Sequence, residues 1–350
     1  MKTLILPVAG RSSRFAGTRP KWMLTMPDGR LMIEQSIEGL SVNSFDRVIV
    51  VALAEHIETY TSLARLTELF RKSICDHIEI LVLENATSSQ VETIAIALEK
   101  GNVKGNFFIK DCDNTFQVDY SGGNKVAVVD LHSVSNVNAA NKSYVQTDPL
   151  GLVKNIVEKH VISNFFCCGG YGFSSVEIFL KHWNLLKSNE NLYLSHVIFS
   201  MIMEGVEFQT LPAKSYCDWG TLEDFRSYCN QRFVVFCDID GVLFSNSSKF
   251  APDGWSSLPL QKNIEALKSI QSTGNLYLVI TTSRPEYLKE DLQKELIAAG
   301  LKVDQFVMGL PHGSRYLIND FSSTNPFPSA VAINLERDSL TLDSYLTRQR

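Results

Sequence analysis

Apolar residues gather along the chain in short, nearly unbroken runs. Thr3–Val8, Arg47–Ala54, Ile78–Leu83 and Asn106–Ile109 each read as a strand. Between them, Leu31–Leu40, Ile57–Lys72 and Val91–Lys100 place apolar residues at helical spacing. Strands alternating with helices predict βαβ units and a mostly parallel sheet. The pattern changes from Phe116 to Phe173, where Lys125–Asp130, Tyr144–Thr147 and Val153–Lys159 are short β-like pieces. They read as an insertion of strands that builds a ligand-binding lobe. Val176–Leu186, Leu194–Glu204 and Thr221–Cys229 return to helical spacing.

A second start follows at Arg232–Cys237, an apolar strand. A Ser/Pro/Gly-rich loop at Ser245–Pro259 comes next. Helix Lys262–Ser272, strand Leu276–Thr281 and helix Glu286–Ala299 then complete a second α/β pattern, with short strands expected at Gln305–Met308, Tyr316–Ile318 and Ala330–Asn334. The predicted organisation is a domain over 1–230 and a smaller one over 231–350.

A length of 350 residues suits two domains, and 45% hydrophobic residues fill two cores, which excludes disordered, collagen-like and disulfide-framework proteins. A net charge of −5 lacks the footprint of a duplex-DNA binder, so no nucleic-acid partner is expected. Seven cysteines, an odd number with Cys167 and Cys168 adjacent and no C-x-x-C, read as reduced thiols. No apolar run approaches the ~18 residues of a membrane span, so neither a membrane partner nor a signal peptide is expected, and the localisation read is cytoplasmic.

The first candidate chemistry follows the first strand. Gly10 lets the backbone approach a ligand. Backbone N–H groups after a strand, with Arg11, Arg14 and Lys21 close behind, form a trap for polyphosphate. The second lies at the end of the Arg232–Cys237 strand, where Asp238 and Asp240 stand at i and i+2, on one side of an extended segment. Such a pair at the carboxyl end of a parallel strand faces the crevice where α/β folds bind ligands.

The first region resembles the nucleotidylyltransferases that act on sugar phosphates. Ala9-Gly10-Arg11-Ser12-Ser13-Arg14-Phe15 is similar to A-G-x-G-x-R-F, with Ser12 at a family glycine, and Pro20-Lys21-Trp22-Met23-Leu24 is similar to P-K-x-L. Thr87-Ser88-Ser89-Gln90-Val91-Glu92-Thr93 resembles T-x-G-Q-A-E-T, with Ser89 at the glycine. Asp113, with Asp111 nearby, stands in the segment that supplies a metal carboxylate. Glu158-Lys159 resembles the pair that holds the sugar phosphate, and Gly169-Gly170-Tyr171-Gly172-Phe173 the family's G-x-Y-x-F strand. Asp218-Trp219-Gly220-Thr221 resembles D-x-G-T. The resemblance implies a Rossmann-like, GT-A-like α/β domain with a mixed sheet and a β insertion. It implies that Ala9, Gly10, Arg11, Ser12, Ser13 and Gln90 bind the nucleotide, and that Glu158, Lys159 and Gly170 bind the sugar phosphate. Arg14 and Lys21 would be catalytic, and Asp113 and Asp218 would hold Mg²⁺. The partners implied are an NTP, with CTP, GTP, UTP and dTTP all open, and a sugar phosphate or small alcohol phosphate.

The second region resembles a small, uncapped haloacid dehalogenase-like (HAD) phosphatase, also Rossmannoid. Asp238-Ile239-Asp240-Gly241-Val242-Leu243 is similar to its first motif, Thr281-Thr282-Ser283-Arg284-Pro285 to its second, and Asn319-Asp320 to its acidic motif. By that resemblance Asp238 is the nucleophile, Asp240 the acid/base, and Thr282, Ser283 and Arg315 bind phosphate. Asp238, Asp240 and Asp320 would hold Mg²⁺. The combined expectation is a bifunctional enzyme of surface-glycan biosynthesis that activates a sugar phosphate and cleaves a related phosphate ester. Two rivals stay open: a cytidylyltransferase for a non-sugar alcohol phosphate such as glycerol phosphate, and a nucleotide sensor that regulates a phosphatase. A homo-oligomer is compatible with each.

Overall fold

The computed structural model describes residues 1–10, 18–134, 138–230, 232–252, 254–319 and 330–346. Arg11, Ser12, Ser13, Arg14 and Asp320 lie outside these. The chain divides into two compact units, Met1–Phe225 and Arg226–Arg350.

The first unit opens with β1 (Lys2–Pro7) and a short 3₁₀ turn at Lys21–Met23. Then come α1 (Met32–Ser36), β2 (Arg47–Leu53), α2 (Ala54–Tyr60), α3 (Leu63–Ser73), β3 (Ile78–Leu83), α4 (Gln90–Lys100) and β4 (Asn106–Lys110). The lobe contributes β5 (Asn114–Gln117), β6 (Lys125–Asp130), β7 (Ser143–Thr147), β8 (Val153–Glu158) and β9 (Phe165–Phe173). After these run α5 (Val176–Leu186), α6 (Leu194–Met203), β10 (Gln209–Pro212) and β11 (Lys214–Asp218), and the division between the units falls within α7 (Leu222–Asn230).

The central sheet is mixed, in the order β10-β6-β9-β4-β1-β2-β3. β4, β1, β2 and β3 are parallel, and β9 runs antiparallel to both β4 and β6. β7 joins β9 and forms an antiparallel hairpin with β8. Both faces are covered, which accounts for the unbroken apolar strands. Ile5, Ile49, Val51 and Phe107 pack beneath α4, α5 and α6, with Val91, Ile94, Phe179 and Val197. Leu4, Leu6, Val48, Val50 and Phe108 face the opposite layer, with Trp22, Ile33, Leu66 and Phe70. Two expected helices are shorter than the spacing predicts. Thr61 is extended at φ −160°, and Ser62 caps α3 by accepting from Arg65 N, so Ile57–Lys72 splits in two. Leu31–Leu40 contracts to α1, which Ile37 ends at φ −102° and ψ 1°, and Leu40 beyond it bridges Val118.

The second unit holds β12 (Phe233–Cys237), α8 (Gln261–Gln271), β13 (Leu276–Thr281), α9 (Lys289–Ala298), β14 (Gln305–Val307) and α10 (Leu342–Leu346). Its three strands are parallel, in the order β12-β13-β14. Ile264 and Leu267 of α8, Leu292 and Leu296 of α9, and Leu342 and Leu346 of α10 share one core with Ile239, Leu278 and Ile280. On β12, Val234 is 63% and Phe236 55% exposed. The strands expected at Tyr316–Ile318 and Ala330–Asn334 are absent from the described residues. Tyr316, Leu317 and Ile318 are exposed, and an apolar run becomes a strand only where neighbours pair and pack with it. Helix Glu286–Ala299 starts as a 3₁₀ turn at Glu286–Leu288 before α9.

All seven cysteines are free. Among the described residues no helix is long and apolar enough to cross a membrane.

Candidate functional site

The site of the first unit is built where β4 ends. Lys110, the last residue of β4, is fully buried, and an ammonium so placed must find oxygen partners. It finds three: Nζ donates to the carbonyl oxygens of Asp111 and Asn114 at 2.5 and 2.9 Å, and to Asn114 Oδ1 at 2.7 Å. It also lies 4.4 Å from the Phe116 ring centroid. Burial lowers its pKa. Lys110 thereby staples the turn that carries Asp111 and Asp113.

Asp111 faces inward. Its Oδ1 accepts from Gln90 Nε2, at the start of α4. Burial first, then the Asp113 charge, pushes its carboxyl up to about 6. Gly169 makes room for it: a Cβ there would stand 2.6 Å from Asp111 Oδ2, and its φ of +92° disfavours any side chain. Ser89 has a structural role, since its hydroxyl caps α4 by accepting from Glu92 N at 3.2 Å.

Asp113 Oδ1 accepts from Asn114 Nδ2 at 3.4 Å. Asp218 pairs with Asn114 across the β5–β11 ladder, and Trp219 N donates to Asp113 O at 2.8 Å. This register brings the two carboxylates together. A Cβ on Gly220 would stand 3.1 Å from Asp218 Oδ1 and 3.6 Å from Asp113 Oδ2. Each carboxylate holds a lysine: Lys21 Nζ on Asp113, Lys142 Nζ on Asp218. Lys21 is set by its 3₁₀ turn, which Trp22 and Met23 anchor in the core. Lys142 also donates to Tyr216 OH at 2.7 Å. Burial, then the Asp218 charge, raises the Tyr216 phenol well above its ordinary range.

Lys142 immediately precedes β7 and belongs to no sequence motif. Across the hairpin lie Glu158 and Lys159. Glu158 accepts from Ser143 Oγ and from Ser195 Oγ, the latter at 3.0 Å. Lys159, at φ +56°, donates to Tyr193 OH at 2.6 Å and to the Lys142 carbonyl through its backbone N–H at 2.9 Å. Gly170 answers to packing: a Cβ there would meet Phe116, Ala127 and Phe108 at 2.8–2.9 Å. Ala9 is buried in the core, and Gly10 is exposed, with no atom of the described residues within 4 Å of where a Cβ would stand.

Among the described residues no three His, Cys, Asp or Glu side chains gather as a metal cage. Asp113 and Asp218 nonetheless fit Mg²⁺. Two carboxylates converge, each already attracts a cation, and Mg²⁺ is commonly held by one or two carboxylates plus substrate phosphates and water.

In the second unit, Asp238 and Asp240 follow β12. Asp238 meets Arg315 Nη1 at 3.1 Å. Asp240 is gripped by Arg284, whose Nη2 donates to Oδ1 at 2.7 Å and Nε to Oδ2 at 3.1 Å. Ser247 Oγ adds a bond to Asp240 Oδ1 at 3.0 Å. Arg284 is 3% exposed, donates to Ser256 O at 2.7 Å and lies over Phe244 and Trp255. Thr282 is buried, and its hydroxyl accepts from Arg284 N at 3.1 Å. Ser283 sits between them in the same turn. Arg284 is the residue that the motif reading left out, although it stands inside T-T-S-R-P.

No family model matches the chain, and no curated protein matches it. Solved structures do. A nucleoside-diphosphate-sugar pyrophosphorylase from Vibrio cholerae RC9 is 18% identical with a TM-score of 0.55, over 65% of this chain and 99% of that one. The inositol-1-phosphate CTP transferase of T. maritima is 15% identical with a TM-score of 0.51, over 65% and 94%. A UDP-glucose pyrophosphorylase complexed with UDP-glucose is 16% identical with a TM-score of 0.50, over 66% and 97%. At these identities the likeness concerns the fold alone: the mixed α/β sheet of this chain is similar to the sheets of these structures.

Proposed function

We propose that the first unit transfers a nucleotidyl group from an NTP to a sugar phosphate and releases pyrophosphate. The observation that carries this reading is the pair of adjoining carboxylates, Asp113 and Asp218, each with its own lysine. The fold neighbours named as pyrophosphorylases and a CTP transferase support it. A phosphate oxygen of the acceptor attacks the α-phosphorus. The P–O bond to the departing pyrophosphate breaks, its electrons leave with pyrophosphate, and no proton need move. Lys21 neutralises charge on the phosphates, joined by Arg14 and the backbone around Gly10 through Ser13. Lys159 and Glu158 hold the acceptor, and Gln90 faces the nucleotide side. Asp113 and Asp218 would hold Mg²⁺, which when bound offsets phosphate charge and orients the in-line groups. Positioning and electrostatics are then the whole of catalysis. A non-sugar acceptor is the second reading, favoured by the neighbour named for inositol 1-phosphate.

For the second unit we propose a Mg²⁺-dependent phosphatase of the HAD type, acting on a related phosphorylated intermediate. Asp238 would attack phosphorus and Asp240 would protonate the leaving oxygen; water then cleaves the aspartyl phosphate. Asp238 at the end of a parallel strand, salt-bridged to Arg315, supports this assignment. The two activities together would serve activation of sugars for surface glycans, a bisphosphate being trimmed before nucleotidyl transfer.

Pyrophosphate release tests the transferase. Each of CTP, GTP, UTP and dTTP is offered with Mg²⁺ and a panel of sugar 1-phosphates, inositol 1-phosphate and glycerol phosphate. Release with one pair, lost in Asp113→Ala and Asp218→Ala, is expected. NTP binding without release across the panel would favour the sensor rival and overturn the reading.

A further inference from the structure

We propose that Lys142 is the resident counter-ion of Asp218, which a divalent cation must displace, so that metal enters the first unit together with phosphate anions. The inference rests on the transferase reading and assigns a role to a residue outside every motif quoted above.

Three observations place Lys142. Its Nζ bonds both Asp218 and Tyr216 OH, the latter at 2.7 Å. The Lys142 and Asp218 side chains are only 14% and 13% exposed. The ammonium is also framed by aromatic rings, with Nζ 5.4 Å from the Tyr216 centroid and 6.0 Å from that of Phe166. It is therefore a lodged cation and not a surface lysine that samples solvent. Its neighbour across the hairpin is Lys159, on the acceptor side, whose backbone N–H binds the Lys142 carbonyl.

A divalent cation at Asp218 would stand against this ammonium. Like charges in a poorly hydrated setting repel strongly, so one must leave or a new anion must arrive. Phosphate oxygens are that anion. Lys142 then exchanges the carboxylate for phosphate, and the two cations share the negative charge of the substrates. Competition of this kind is reciprocal: what holds Lys142 on Asp218 weakens the metal, and metal on Asp218 frees Lys142 for phosphate. Lys21 and Asp113 repeat the pairing on the other carboxylate.

The test is Mn²⁺ binding to the full chain without nucleotide, read by calorimetry or by the electron-spin signal of free Mn²⁺. Lys142→Met and Lys142→Gln remove the charge; Lys142→Arg keeps it. The expected result is Mn²⁺ binding about tenfold tighter in Lys142→Met and Lys142→Gln, and unchanged or weaker in Lys142→Arg. A residue that only supported the fold would weaken the site when removed. Unchanged or weaker binding in the folded neutral variants, checked by circular dichroism, overturns the proposal. Asp218→Asn separates the two readings. If it abolishes Mn²⁺ binding while Lys142→Met changes nothing, the Lys142 role alone falls. If it binds Mn²⁺ like the wild type, Asp218 is no metal ligand, and the metal assignment falls with it.

Discussion

The backbone N–H of Trp219 donates to the carbonyl oxygen of Asp113 at 2.8 Å. That bond extends the β5–β11 ladder by one step, beyond the pairing of Asp218 with Asn114. It sets two carboxylates from distant stretches of chain side by side, with Gly220 between them. The glycine has no positive φ to justify it, so its reason is space. Gly220→Ala should therefore leave the fold within about 1 kcal/mol of wild type. It should lower pyrophosphate release about tenfold to a hundredfold, because small misplacements of reacting groups are costly in rate. Melting curves and kcat together check this. A variant that melts early would point to packing, and one with unchanged kcat would show that the carboxylates adjust freely.

Ser89 tests a local substitution that the motif alone could not explain. Its hydroxyl caps α4, the helix that presents Gln90 to Asp111. Ser89→Gly should cost only a few tenths of a kcal/mol, whereas Ser89→Ala should cost about 1 kcal/mol. Denaturant unfolding of the three proteins gives the order. Equal stability of the alanine and glycine variants would remove the cap from the account.

Arg284 is a buried cation held by one carboxylate, one carbonyl and two aromatic faces. Removing it takes away the counter-charge of Asp240, whose side chain is only 12% exposed. Arg284→Ala should destabilise the second unit by about 3–5 kcal/mol. Arg284→Lys should cost less, since it keeps the charge and loses the planar fork. Calorimetric melting of the full chain resolves the effect. A loss under about 1 kcal/mol in Arg284→Ala would mean that Ser247 and solvent already satisfy Asp240.

Legibility followed burial and separation. β1 and β2 were plain in the sequence because both of their faces are covered, which forces unbroken apolar runs. β5, β10 and β11 were not, being four or five residues long with polar positions throughout. Asp113 and Asp218 stood out through the motifs around them. The lysine on Asp218 did not, because Lys142 lies 76 positions away and no local pattern links the two. Arg284 was visible in T-T-S-R-P, but its partner Asp240 is 44 residues earlier, and only the fold joins them. At Gly170 the motif suggested substrate contact, and the packing of Phe108, Phe116 and Ala127 supplies a reason for glycine without it.

His56 supplies a pH test of the wall behind Lys21. Its Nδ1 accepts from Trp22 Nε1 at 3.4 Å, and Trp22 anchors the turn that carries Lys21. Burial lowers the His56 pKa below its usual 6.5, against a smaller opposing effect of Glu55. The unfolded chain therefore binds the proton more readily than the folded one. The stability associated with neutral His56 is present above pH 6.5 and is lost as pH falls through that value toward the folded pKa. His56→Gln keeps an acceptor for the indole N–H and does not titrate. The stability of wild type relative to His56→Gln should decline between about pH 7.5 and pH 5, with most of the change below pH 6.5. Urea unfolding of both proteins across that range measures the gap and cancels the contribution of other histidines such as His182. A gap that stays constant with pH would mean that His56 takes up its proton equally in both states, and that the Trp22 contact does not depend on its charge.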